Sequence, residues 1–222
     1  MNYFTEDYLN FFKELAANNN KDWFDINRKR YENIVREPFK KFVSDLIEEV
    51  SKQDPEVLIE QKDAIFRINR DIRFSKDKTP YKLNNSAIIS KTGRKDKSYP
   101  GLYIELGPEK LGIYGGIYMP DTIQVQKIRQ HIINNKVAFL KIISNKDFKQ
   151  KFGEIQGDKN KRLPKEFLEA AKDQPLLFNK QWYHFANLSA NEITSNNLKN
   201  IILEYNKAAL PLKEFLVDAL AT

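Results

Sequence analysis

Apolar positions fall into three blocks along the chain. In the first, Tyr8, Phe11, Phe12 and Leu15 recur at three- and four-residue spacing. This predicts a helix with one apolar face, capped by Thr5 and ended by the Asn18-Asn19-Asn20 run. A second helical pattern covers residues 21–51 through Trp23, Ile26, Ile34, Phe42, Leu46 and Ile47. Pro38 lies inside it, and a proline ring clashes with the preceding turn, so a kink or two helices in series is expected. The period then changes to two. In residues 64–74 the even positions are apolar apart from Arg70, while Arg67, Asn69, Asp71 and Arg73 alternate onto the other face, which predicts a strand with one charged face. Residues 86–90 read as a second strand, and 102–106 with 111–118 as a hairpin around Gly107-Pro108-Glu109-Lys110.

In the third block helices resume at Pro120-Asp121-Thr122 with Ile128, Ile132 and Ile133 on an apolar face, and the lysine-rich stretch 146–165 reads as a polar loop. One more strand is expected at 182–188. Ser195 then caps a closing helix that Pro211 interrupts. The order helix, sheet, helix predicts an α+β fold, with helical N- and C-terminal parts packed on a central, mainly antiparallel sheet. Neither a repeat nor a long linker divides residues 1–222, so a single domain is expected.

Composition narrows the chemistry. The absence of cysteine excludes disulfides, thiol nucleophiles, cysteine-ligated zinc and iron–sulfur clusters together. No stretch approaches the eighteen uninterrupted apolar residues of a membrane span. The opening residues Met1 to Asp7 lack the basic start and apolar run of a signal peptide, so a cytoplasmic protein without membrane contact is expected. The net charge of +7 is unevenly placed: residues 1–59 carry nine bases and twelve acids, residues 60–100 eleven and five. A local excess of this kind points to an anionic partner more than to general solubility.

The densest cluster is residues 66–82, with six bases and two acids. Its three arginines suit bidentate binding of phosphate or carboxylate. On a regular strand Arg67 and Arg73 would share a face, roughly 20 Å apart at ~3.3 Å per residue, with Asn69 and Asp71 between them. The following loop adds Ser75, Lys76, Lys78 and Lys82. The candidate anion site is therefore Arg67, Asn69, Arg70, Arg73, Ser75, Lys76, Lys78 and Lys82, with Asp71 and Asp77 as candidate catalytic carboxylates and Trp23 and Tyr81 as stacking surfaces. Two flanking arginines would lower the pKa of Asp71, which suits an electrostatic or ligand role better than proton donation.

The strings Asn18-Asn19, Trp23-Phe24, Arg28, Tyr31, Pro38-Phe39, Arg67 through Lys82 and Gly115-Gly116-Ile117-Tyr118-Met119-Pro120 resemble an uncharacterised family, domain of unknown function 2461. The resemblance covers almost the whole chain, and Arg70 to Lys82 is its most specific part. It implies a domain extent but no activity, cofactor or partner. The chain departs from the family pattern after Pro164, where Glu166 replaces an expected glycine and Gln174-Pro175 a His-Pro pair.

Other motifs carry less. Ser75-x-x-Lys78 with Lys91-Thr92-Gly93 imitates penicillin-recognising enzymes, but the spacing is too short and no Ser-Asp-Asn intervenes. Gly112-x-x-Gly115-Gly116 lacks the end of a phosphate loop and reads as a bulge or a close approach, to a ligand or to Trp23. His131 and His184 have no second ligand at metal spacing, so no metal site is expected. Three readings stay open. They are a pocket for a phosphorylated or otherwise anionic small molecule, with phosphoryl or ester hydrolysis the expected chemistry of an enzyme; a nucleic-acid binding module that adds the 146–165 lysines; and a scaffold in which Arg–Asp pairs are internal glue.

Overall fold

The periodic face of the first helix is the face the protein buries. The computed structural model describes residues 2–221. α1 (Glu6–Ala17) packs Tyr8, Leu9, Phe11, Phe12 and Leu15 inward. Thr5 stands at its N-cap with extended backbone but its side chain accepts no cap bond, and Glu6 and Asp7 face the positive end of the helix dipole instead. The asparagine run serves twice. It ends α1, and the Asn20 side chain accepts from the Trp23 amide at 2.9 Å to start α2 (Lys21–Ile26).

A short α3 (Arg28–Arg30) leads into a π-helical turn (Tyr31–Arg36) and then α4 (Glu37–Gln53). Helices in series are thus one of the two expected arrangements. Pro38 sits in the first turn of α4, where its missing N–H is not needed. Just before it the Glu37 amide donates to the Glu32 carbonyl, five residues back.

The central strands are β1 (Asn85–Ile89), β2 (Leu102–Leu106), β3 (Leu111–Ile117) and β4 (Trp182–Leu188), an antiparallel sheet in the order β1-β2-β3-β4. With helices before and after it, the architecture is α+β. β1 is buried at every position, whereas β2 alternates.

Residues 64–74 do not form the expected regular strand. α5 (Gln61–Ala64) comes first, and residues 65–70 then run antiparallel beside residues 80–87 through two isolated bridges, Ile65 with Ala87 and Asn69 with Tyr81. Four residues separate the bridges on one side and six on the other, so the ladder cannot stay in register. Past Arg70, two aspartates draw the backbone into turns: Asp71 accepts from the Arg73 amide at 3.3 Å and Asp77 from the Thr79 amide at 2.9 Å. Phe74, expected on the apolar face, is 95% exposed. Arg67 and Arg73 therefore do not share a strand face.

The chain forms two compact units, each assembled from separated stretches. One comprises the chain up to residue 94 with 103–113 and 187–203; the other comprises 95–102, 114–186 and the chain from 204 on. The first has an aromatic core, in which Phe4 and Phe42 lie 5.5 Å apart, Tyr8 and Phe12 5.3 Å, and Phe11 and Tyr31 5.6 Å. The Tyr8 hydroxyl donates to the Leu106 carbonyl at 3.1 Å.

In the second unit, α6 (Thr122–Asn134) begins where the sequence predicts a helix to resume, and opens on a capping box of Asp121 and Gln124. α7 (Lys136–Ile143), α8 (Lys146–Phe152) and α9 (Lys165–Asp173) follow. The lysine-rich stretch thus begins as an amphipathic helix whose buried side is Phe148 and Phe152. Arg129 is 2% exposed and spans a turn by donating to the carbonyls of Leu177 (2.8 Å) and Asn179 (3.1 Å).

The close approach expected at the paired glycines is made to β4 and not to Trp23: a Cβ at Gly116 (φ +90°) would lie 2.2 Å from the Trp182 carbonyl oxygen, and one at Gly115 2.6 Å from His184 Nε2. α10 (Leu198–Ala221) runs through Pro211 without interruption. Leu212, Phe215 and Leu216 are buried in the core of this unit, which holds the turn that proline alone would break.

Candidate functional site

A cavity of about 600 Å³ lies wholly within the first unit. The π-helical turn supplies Tyr31, Glu32 and Arg36, the helices before it Phe24 and Arg28, and α4 Phe39 and Lys40. The rest of the lining comes from Gln61 and Lys62 of α5, the irregular residues 65–69, Asn85 of β1, and Arg94. π-turns recur at functional sites because the wider turn redirects side chains that a regular helix would hold in line.

Six bases line this cavity against one acid, Glu32. Four have partners: Arg28 pairs with Asp25, Arg36 with Glu32 at 2.8 Å, Lys40 with Glu37 at 2.6 Å and Lys62 with Glu60 at 2.8 Å. Exposed pairs of this kind are worth only about 0–1 kcal/mol, so they hold these four side chains weakly. Arg67 and Arg94 have no hydrogen-bond or ion-pair partner among the described residues. Arg94 is placed by Gly93, whose φ of +57° makes a tight turn in which a Cβ would meet the Asp63 carbonyl oxygen at 2.6 Å.

The apolar part of the wall is aromatic. Phe24, Tyr31 and Phe39 are buried, and burial pushes the Tyr31 phenol up to about 12, so it stays neutral. Two amides complete the wall. Asn85 is 7% exposed and its side chain has no hydrogen-bond partner among the described residues. Gln61 Oε1 is buried with no donor.

The sequence-defined cluster is divided among three places. Arg67 and Asn69 line the large cavity. Arg70, Asp77 and Lys82 line a second one, about 480 Å³, beside Tyr81 and Glu105. There Arg70 is engaged through Nη1, which donates to Asp77 at 2.5 Å, to the Thr79 carbonyl at 3.1 Å and to the Thr79 hydroxyl. The Lys82 ammonium lies 5.4 Å from the Phe66 ring centre. Arg73, Ser75, Lys76 and Lys78 belong to the intervening loop and line neither cavity. In that loop Arg73 pairs with Asp71 at 2.8 Å, Lys78 Nζ donates to the Ile72 carbonyl at 3.0 Å, and the Ser75 amide to the same carbonyl at 3.3 Å.

Both candidate carboxylates are held ionised. The Thr79 amide, the Arg70 guanidinium and the Thr79 hydroxyl bring Asp77 down to about 2, and the Arg73 guanidinium lowers Asp71. Of the two stacking candidates, Tyr81 lines the second cavity and stacks on Phe24 at 4.1 Å, and half-buried Trp23 has its ring 5.5 Å from Phe11.

Arg28, Arg36, Gln61, Asn85 and Arg94 are cavity residues that the strand-and-loop reading did not single out. Gly93 before Arg94 was the one local signal, since a glycine between polar residues marks a turn. Among the described residues no group of three or more His, Asp or Glu side chains is arranged to hold a metal ion. His131 packs 4.5 Å from Phe215, and His184 is buried against Phe152 at 4.4 Å. No described helix is long and apolar enough to cross a membrane.

The family model for DUF2461, described as a conserved hypothetical protein, matches residues 7–215. No curated protein matches the chain.

Proposed function

We propose that this chain, which belongs to the conserved hypothetical protein family DUF2461, binds a phosphorylated or otherwise anionic small molecule in the 600 Å³ cavity of its first unit. The observation that carries the proposal is the pair Arg67 and Arg94, two guanidinium groups lining one cavity that make no hydrogen bond or ion pair with an acid among the described residues, Arg67 acting on Asp71 only through its field. A charge-assisted hydrogen bond to such a group contributes about 1.5–3 kcal/mol. Arg28 and Arg36 line the same cavity, and their exposed acid partners are easily exchanged for a ligand. Phosphorylated metabolites of this size are abundant in the cytoplasm, where we place the protein.

Binding is favoured over hydrolysis by Asp71 and Asp77. A carboxylate held below its ordinary range, as both are, is a weak proton acceptor near neutral pH. For these two acids with Arg70 and Arg73, a structural role is supported instead, because the pairs close the turns of the 71–79 loop.

Thermal-shift measurements with pyrophosphate and phosphorylated sugars test the proposal. A ligand at a hundred times its Kd adds about 2.7 kcal/mol to the stability of the parent protein. Arg67→Ala and Arg94→Ala are each expected to weaken binding at least tenfold. Parent-like response in both variants, or affinity only for oligonucleotides that falls steeply with salt, would overturn it.

A further inference from the structure

A single phosphate uses only part of what the same cavity presents. We infer that its ligand carries two or more phosphate groups at separate points, one held by Arg67 and Arg94 and another by Arg28 and Arg36. This inference rests on the anion-binding proposal and specifies its ligand.

Unused donors carry it. An arginine presents five N–H donors and no acceptor, and an ionised phosphate only accepts, so each guanidinium with free N–H groups can hold a phosphate oxygen. Arg36 meets both Glu32 oxygens at 2.8 Å through Nη1 alone. Arg28 meets Asp25 through Nη2 alone. The remaining nitrogens of both side chains have no partner among the described residues, as is true of every side-chain nitrogen of Arg67 and Arg94. Binding of a phosphate there does not require either ion pair to break.

Spacing and size agree. Residues 28–53 are helical without a break, through α3, the π-helical turn and α4. Arg28 and Arg36 both line the cavity from this run. Their backbones lie roughly 12 Å apart along it, at ~1.5 Å per residue. Lys40, one turn beyond Arg36, adds a third cation to the row. One phosphate, with all its oxygens on a single phosphorus, is satisfied by Arg67 and Arg94 and leaves this row unused. A volume of about 600 Å³ is that of a site for a whole small molecule and exceeds one phosphate group.

Calorimetric titration of the full chain with a hexose 6-phosphate, a hexose 1,6-bisphosphate and tripolyphosphate, at fixed ionic strength, tests this. The bisphosphate or tripolyphosphate is expected to bind about tenfold or more tightly than the monophosphate, the gain from one further charge-assisted contact. Whichever binds more tightly tells whether the phosphates are held apart by a sugar or condensed in a chain. Arg36→Ala should cut the advantage to about threefold or less, and Arg28→Ala, at a similarly exposed position, repeats the comparison. Lys149→Ala, on α8 of the second unit, should keep the parent's ratio. Equal binding of all three compounds by the parent, or an advantage that survives in both arginine variants, overturns the inference and leaves anion binding standing. An advantage lost equally in Lys149→Ala shows only general attraction of charge and also overturns it. No binding of any of these compounds overturns both readings.

Discussion

His184 gives the second unit a built-in acid sensitivity. Its ring is packed among Phe148 (5.2 Å) and Phe152 (4.4 Å), and a Cβ on Gly115 would touch it, so there is no room for hydration. Burial alone brings its pKa down to about 3, against 6.5 in the open chain. Between those values the unfolded chain holds a proton that the native protein does not. Stability is therefore full above pH 6.5 and falls as the pH drops toward 3, with a slope of about 1.4 kcal/mol per unit. Between pH 7 and pH 5 the integrated loss is about 2 kcal/mol. Carboxylates titrate mostly below this window, so histidine dominates it. Urea unfolding at pH 7, 6 and 5, in the parent and in His184→Leu, isolates the effect, because His131 contributes equally to both. The parent should lose about 2 kcal/mol more than the variant over this range. Parallel pH profiles would show that His184 is hydrated or charged in the native protein.

Three further outcomes are expected. Gly93→Ala forces a Cβ to 2.6 Å from the Asp63 carbonyl at φ +57°; it should cost about 1–3 kcal/mol and weaken pyrophosphate binding by displacing Arg94, and a variant with parent-like melting and binding would contradict the account of that turn. Arg129→Met strips the Leu177 and Asn179 carbonyls of their buried donor, and chemical denaturation should show a loss of about 2–4 kcal/mol; a loss under 1 kcal/mol would mean the carbonyls find other donors. Asp77→Asn should raise hydrogen exchange at the Thr79 amide with little change in melting. Because the pKa of Asp77 is depressed, its contribution is present above the ordinary carboxylate range and lost as pH falls from about 4 toward 2, so acid should loosen the same loop in the parent; unchanged exchange in both cases would remove its role.

Where the backbone alone decides, the sequence was legible. The turn residues Gly107-Pro108-Glu109-Lys110 between 102–106 and 111–118 located the hairpin, Asp121 before Thr122 located α6, and the spacing of Tyr8, Phe11, Phe12 and Leu15 named the buried face of α1. Period two failed in residues 64–74 because the bridges to residues 81 and 87 fall out of register and because Asp71 and Asp77 offer the backbone nearer partners. Pro211 failed as a breaker because tertiary burial of its neighbours outweighs one lost hydrogen bond. Charge counting found Arg67 but grouped it with Arg70 and Arg73, whose partners lie within the same seventeen residues. Arg28, Arg36 and Arg94 stand 39, 31 and 27 residues from Arg67 in sequence and meet it only through the fold of the first unit.

The central claim is that Arg67 and Arg94 hold an anion together in that cavity. Its most direct test is calorimetric titration of pyrophosphate into the parent, each single alanine variant and the Arg67→Ala/Arg94→Ala double variant at fixed ionic strength. The account predicts at least a tenfold loss for each single change, with the double variant showing no measurable heat of binding. Equal affinity in all four proteins would contradict it.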